Sequence, residues 1–231
     1  MNKPPETDKS PQIWNNDYAI KVFWDDILPG LGVTLQAVFW GMLIALLLGL
    51  VWAICRRSKW KVLSWTAGGI VEFVRSTPLL VQLYFFFYVL PHAGLSTSPL
   101  LTGILGLGLH YSCYTAEVYR AGINAVPRGQ WQAAQALNFT QWQTYRHVVL
   151  PQAIPPIIPA LGNYLIAMFK DAPMLSLITV LGILGRAKIV GNETADYLEP
   201  LTIVGIIFLV ISLISGLAIN WLQVRLKVSS V

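Results

Sequence analysis

Charge is scarce in this sequence, and its scarcity excludes most of the ordinary protein classes. Only 12% of the 231 residues are Asp, Glu, Lys or Arg, and none occurs from Ile27 to Cys55, from Ser76 to Ala116 or from Pro200 to Val224. With 55% hydrophobic residues and a mean hydropathy of +0.58, a water-soluble fold would lack the polar side chains to cover its surface. Cysteine is almost absent. Cys55 and Cys113 form no CxxC pair, which leaves neither a thiolate metal site nor a disulfide framework. There is no G-x-x-x-x-G-K-[ST] loop, so the chain is not expected to hydrolyse ATP itself. His92, His110 and His147 are scattered, no His/Asp/Glu cluster suggests a metal, and no Ser or Cys nucleophile stands beside a base. An enzyme is therefore not expected, nor a cofactor. The net charge of +5 argues for no nucleic acid, because the bases are informative by position rather than by sum. A cleavable signal is also not expected: residues 1–26 lack an apolar core, and the first apolar run is too long for one.

What is present are apolar runs separated by basic clusters. Residues 1–26 are polar, with Pro4, Pro5 and Pro11 near the start, and read as an N-terminal tail that begins disordered. Ile27 to Cys55 can span a bilayer with tilt. Arg56, Arg57, Lys59 and Lys61 follow without an acid, which places that loop in the cytoplasm and the N-terminus outside. Trp60 to Arg75 is less apolar and fits the cytoplasmic interface or an oblique start to the next span. Span two then covers about Thr77 to Leu90, Pro91, Gly94 and Pro99 divide the run, and span three covers about Pro99 to Tyr119. Val148 to Gly185 reads as one broken span with a Lys170-Asp171 ion pair partway across. Arg186 to Glu199 reads as an outside loop, and Pro200 to Val224 as the last span before a cytoplasmic Arg225 and Lys227. The expectation is an all-α integral membrane protein of about five spans. Its single membrane domain covers residues 27–226, with a short tail at 227–231.

The longest polar interruption, Glu117 to Pro151, predicts two short helices. Gln130 to Leu137 puts Trp131, Ala134 and Leu137 on one face, Asn138 suits a left-handed stop, and Gln141 to Val149 forms the second run. By pattern alone this is either an amphipathic surface loop or a grip for a soluble partner. Gln132-Ala133-Ala134, three residues, Asn138, nine residues, then Val148-Val149-Leu150-Pro151 resembles the EAA motif of ABC importer permeases. That motif is Glu-Ala-Ala, three residues, Gly, nine residues, Ile-x-Leu-Pro; Gln132, Asn138 and Val148 depart from it. The flanks resemble the polar amino-acid uptake subfamily, and the likeness runs from about Glu72 to Leu226. The resemblance implies a type I permease fold in a bacterial cytoplasmic membrane. It also implies a second permease subunit, a dimer of ABC ATPases docked at Gln132, Ala133, Ala134, Asn138, Leu150 and Pro151, and an extracytoplasmic solute-binding protein. MFKDAPMLSLITVLGI with YLEPLTIVG also resembles permeases for ectoine and hydroxyectoine.

Four residues stand out as candidates for the solute path. Lys170 and Asp171 lie within an apolar stretch, where ionisable groups are costly and usually functional, and Pro173 favours a broken helix there. The plainer reading is a helix-terminal pair at the outer interface. Thr77 resembles part of the family's R-G-T-P-L segment and, more plainly, suits a helix cap with Pro78 behind it. Gln82 is the one strongly polar side chain, tyrosines apart, before Pro91. Glu72 with Arg75 and Glu117 with Arg120 have the spacing of simple helix-surface pairs. A secondary transporter or a membrane scaffold would need no helix pair at 130–149, and ATPase co-purification separates those classes.

Overall fold

The structure is a computed structural model, and residues 14–226 are described here. The expected N-terminal disorder around Pro4, Pro5 and Pro11 and the cytoplasmic Lys227 lie outside them. The first helix, α1, runs Asn16–Arg56. It starts well before the polar boundary expected at residue 26. The Asn15 side chain accepts the Tyr18 N–H at 3.1 Å, capping it. Ala19, Val22 and Ile27 are buried while Asp17, Lys21 and Asp25 stay exposed, so the segment is an amphipathic helical extension. Two further helices receive its apolar side: α7, Ile183–Thr194, and α8, Leu198–Arg225, which contribute Ala187, Val190, Ile203 and Val204.

Between these come α2, Lys61–Arg75, and α3, Leu79–Ala93, bent by 100° against each other. Then α4, Pro99–Asn124, and the short α5, Arg128–Ala136, lead to α6, Gln141–Ile178. Proline placement differs from expectation in a consistent way. Pro151 does not end a helix, and Pro91 does not by itself divide one. Pro29, Pro91 and Pro151 each follow closely on a π turn, at Phe23–Ile27, Phe85–Val89 and Tyr145–Val149. A proline lacks an N–H and its ring crowds the carbonyl one turn back; the widened turn relieves both problems, so the helix continues. The real break after α3 is Gly94, with φ of 81°.

The centre of the molecule is the parallel pair α1 and α4. Residue numbers rise together along their contact. A Cβ on Gly41 would lie 3.2 Å from the Leu107 Cβ, one on Gly108 would lie 3.3 Å from the Gly41 carbonyl oxygen, and one on Gly49 would lie 2.8 Å from the Ser112 carbonyl oxygen. Gly41, Ala45 and Gly49 recur every fourth residue, as do Gly108, Ser112 and Ala116, and such small-residue rows let two backbones approach. Thr115 Oγ1 donates to the Ala45 carbonyl at 2.7 Å, and Tyr119 OH to that of Leu46 at 3.3 Å. The surrounding core of Ala37, Met42, Leu83, Leu107, Met168 and Leu175 joins α1, α3, α4 and α6.

Among the described residues three helices, α1, α6 and α8, are long and apolar enough to cross a membrane, and the α2–α3 pair, bent by 100°, has the length and composition of either a broken span or a re-entrant loop. With 26 residues α4 is long enough but too polar to join them. Its Thr102, His110, Ser112 and Thr115 are all buried against other helices, where lipid does not demand apolarity.

The expected fourth span also differs. A 3-10 turn at Ala172–Ile178 ends α6, Thr179 takes a left-handed φ of 64°, and the chain turns into α7. Ala172 to Gly185 is thus not the far half of one span, and most of the expected outside loop is helix α7. The run is rich in apolar residues because side chains such as Val180 and Ile183 are buried against the beginning of α1 and its neighbours, not because they continue a crossing. Thr34 Oγ1 accepts the Ile183 N–H at 3.0 Å and fastens that turn to α1.

Candidate functional site

At the end of α6, Asp171 and Lys170 part company. Lys170 is exposed, and no ion pair joins it to Asp171 among the described residues. Neighbouring residues on a helix point in different directions, and Asp171 turns inward, accepting the Tyr111 hydroxyl at 2.7 Å. Tyr111 and Tyr114 sit one turn apart on α4, and Tyr164 reaches them from α6, two turns before Asp171. Their ring centroids are 6.0 Å (Tyr111–Tyr114), 6.3 Å (Tyr111–Tyr164) and 5.5 Å (Tyr114–Tyr164) apart. The Arg75 guanidinium lies over the Tyr114 ring, 5.4 Å from its centre. Its buried Nε has no hydrogen-bond partner among the described residues, and Glu72 is 3.6 Å from another of its nitrogens. One carboxylate thus meets the tyrosine cluster at Tyr111 and one guanidinium meets it at Tyr114.

Thr77 and Gln82 belong to the α2–α3 bend that carries Arg75. Thr77 does not cap α3. Its hydroxyl donates back to the Phe73 and Val74 carbonyls at 3.2 and 3.1 Å, so it closes α2 instead. Gln82 is buried; its Nε2 reaches the Val74 carbonyl at 2.8 Å and Thr77 Oγ1 at 2.7 Å, while its Oε1 lies 3.2 Å from His110 Nδ1. A sharp bend frees backbone carbonyls that a lipid environment cannot solvate, and these side chains satisfy them. Both therefore brace the bend. The tyrosines and Arg75 were missed as one site. The signal available was the spacing of Tyr111 with Tyr114 and of Tyr164 with Asp171; the bend that adds Arg75 left none.

One turn beyond Tyr114 on α4, Arg56 and Arg120 both bond Glu117, Arg120 Nε at 3.0 Å. Arg57 donates to Asn124 Oδ1 at 2.6 Å and reaches the Tyr145 hydroxyl at 3.4 Å. The basic cluster and the 130–149 loop thus occupy the same end. There α5 stops as expected: Asn138 has φ of 56°, and the Phe139 N–H donates to the Ala134 carbonyl at 3.0 Å. Thr140 and Gln143 form a capping box at the start of α6, which stiffens the short connection.

On α5, Trp131 packs edge-on against Tyr145 with centroids 5.5 Å apart, and Ala134 is buried. Leu137, expected on the same face, is 68% exposed. Gln132, Ala133, Asn138 and Pro151 are exposed, and Leu150 is 37% exposed. Ala133 and Ala134 therefore have different jobs. Ala133→Asp should leave the chain folded and membrane-inserted, whereas Ala134→Asp should destabilise the loop by about 1–3 kcal/mol through burial of an unpaired carboxylate. Limited proteolysis at residues 128–149 checks this; equal protection in both variants would mean Ala134 does not pack inward.

Both sites are carried by one set of packed, largely apolar helices that ends in a stiff surface loop. A profile described as "Binding-protein-dependent transport system inner membrane component" matches residues 41–228, and the chain belongs to that family. It is a transporter family, not one of catalytic enzymes. A probable amino-acid ABC transporter permease protein of Sinorhizobium fredii is 44% identical over 217 residues, covering 92% of this chain and 94% of that protein. An arginine transport system permease protein of Bacillus subtilis is 36% identical over 189 residues, covering 81% of this chain and 86% of that one. A crystal structure of an amino acid ABC transporter with histidines superposes with a TM-score of 0.87 at 33% identity, covering 92% of this chain and 99% of that one. The inward-facing MetNI methionine ABC transporter, at 19% identity and a TM-score of 0.69, shares the fold.

Proposed function

We propose that this chain is the transmembrane subunit of an ABC importer that carries a polar amino acid or an amino-acid-like zwitterion. The observation that carries the substrate class is a tyrosine cluster that Asp171 meets at Tyr111 and Arg75 at Tyr114. A zwitterion brings an ammonium, which suits the Asp171 carboxylate, and a carboxylate, which suits the unpartnered Arg75 Nε. The phenols of the cluster supply apolar bodies with polar tips, as amphipathic solutes require.

In this reading two permease subunits, identical or paralogous, enclose the path in the bacterial cytoplasmic membrane. Each chain crosses five times, with the N-terminus outside and the bent α2–α3 pair as one crossing. The parallel run of α1 and α4 supports that count, since both then cross outside to inside. An extracytoplasmic binding protein delivers the solute. A dimer of ATPases docks on the exposed side of α5 at Gln132 and Ala133, with Asn138, Leu150 and Pro151 completing the surface. Trp131, Tyr145 and the continuous α6 connect that surface to Asp171, so ATPase closure moves the solute site as a rigid extension of the loop.

The test is the complex reconstituted in vesicles with its binding protein. Solute-stimulated ATP hydrolysis and uptake of a polar amino acid are expected, with ectoine and hydroxyectoine as competing solutes in the same assay. A cysteine at position 59 should label only from the cytoplasmic face. Purification without an ATPase, and uptake independent of ATP, would turn the reading to a secondary transporter.

A further inference from the structure

One cleft at the loop end has no part in that scheme. It is apolar, about 410 Å³, and lies between the end of α1, the start of α2, the end of α4 and the start of α6. Leu50, Ile54, Leu63 and Ile123 line its walls, and Arg57, Ser58 and Tyr145 stand at its polar end. Ile54 and Leu63 are 63% and 42% exposed, so the cleft opens sideways from membrane-level helix faces.

Charge around it is one-sided. From Arg56 to Val71 and from Val118 to Phe169 the chain has no Asp or Glu, yet it has Arg56, Arg57, Lys59, Lys61, Arg120, Arg128 and Arg146. The nearest acid, Glu117, is already shared by Arg56 and Arg120. Lys59 and Lys61 are exposed, with no acid partner among the described residues. Trp60 and Trp65 are 78% and 79% exposed beside them, the usual placing of tryptophan at headgroup depth.

An acyl-sized apolar slot beneath uncompensated bases, at the level of exposed tryptophans, is complementary to a lipid with a negative headgroup. We infer that this cleft holds one anionic phospholipid of the inner leaflet, its acyl chain along Leu50 and Ile54 and its phosphate near Arg57, Lys59 and Lys61. A soluble partner fits less well, because the walls belong to α1 where it spans the membrane. The inference rests on the membrane-spanning reading but not on the identity of the solute. Because Arg57 also reaches Tyr145, the lipid would brace the first helix of the bundle against the docking loop.

Native mass spectrometry of the detergent-purified complex, supplied with equal phosphatidylglycerol and phosphatidylcholine, tests this. Preferential retention of phosphatidylglycerol is expected. Lys59→Gln with Lys61→Gln should weaken it by on the order of tenfold, since each base near an anionic surface contributes modestly and additively. Ile54→Trp, which fills the slot and leaves the bases in place, should abolish retention. Equal retention of both lipids, or unchanged phosphatidylglycerol in the double lysine variant, would overturn the site. Retention surviving Ile54→Trp would also overturn it, leaving only surface charge. Uptake and ATPase co-purification, followed in parallel, report on the transport reading separately.

Discussion

Replacing Asp171 with Asn should lower solute uptake by about ten- to a hundredfold while the assembled complex keeps its basal ATP hydrolysis. A hydrogen bond to a charged group contributes about 1.5–3 kcal/mol, and the substitution also removes the one carboxylate facing the tyrosine cluster. Asn preserves the shape and still accepts from Tyr111, so folding should survive. Tyr111→Phe removes the hydroxyl but leaves the charge, and should cost less, about fivefold. This ordering separates two roles. If Asp171 mainly holds Tyr111 in place, the two variants should be equally impaired; if it meets the solute, Asp171→Asn should be far worse. Unchanged uptake in Asp171→Asn would remove the residue from the path, and loss of assembly would make it structural. Lys170, exposed on another side of α6, should tolerate Gln better than Asp171 tolerates Asn.

Gly49→Leu should leave almost no folded permease in the membrane fraction. Even a methyl group there would sit 2.8 Å from the Ser112 carbonyl oxygen and closer still to the Thr115 hydroxyl, and both belong to the close-packed partner helix. Overpacking in a tight interface costs about 1–3 kcal/mol, and here it also separates the Thr115 hydroxyl from the Ala45 carbonyl. Gly205, on α8, has nothing within 4 Å of such a methyl, so Gly205→Ala should be neutral. Membrane abundance and thermal aggregation of the purified variants read the contrast. Gly49→Leu at wild-type abundance would mean that α1 and α4 do not meet as described.

Some of this was legible because it depends on local chemistry alone. Asn138 could be recognised as a helix stop because a short polar side chain tolerates the left-handed conformation, whatever surrounds it. Glu117 with Arg120 and Glu72 with Arg75 pair as their spacing requires. The prolines misled for a related reason. Their steric cost is local, but whether a helix breaks or widens into a π turn depends on the packing that holds both sides in line. Asn16 to Asp26 looked like a tail because its charges were counted without its partner helices, α7 and α8, being known.

By its composition and periodicity, the sequence determined that this chain is helical and membrane-bound, with its basic loops segregated and its loop of Gln132 to Pro151 spaced like the family's motif. Those properties follow from the solvent, since a bilayer forces every backbone group into helices and sorts charge to its faces. Tertiary structure decided the rest. The 100° bend carries Arg75 to Tyr114, the parallel approach of α1 and α4 makes Gly49 irreplaceable, and the turn at Thr179 ends α6 soon after Asp171. Each depends on residues distant in sequence meeting at van der Waals distance, and no periodicity along one chain encodes which faces will meet.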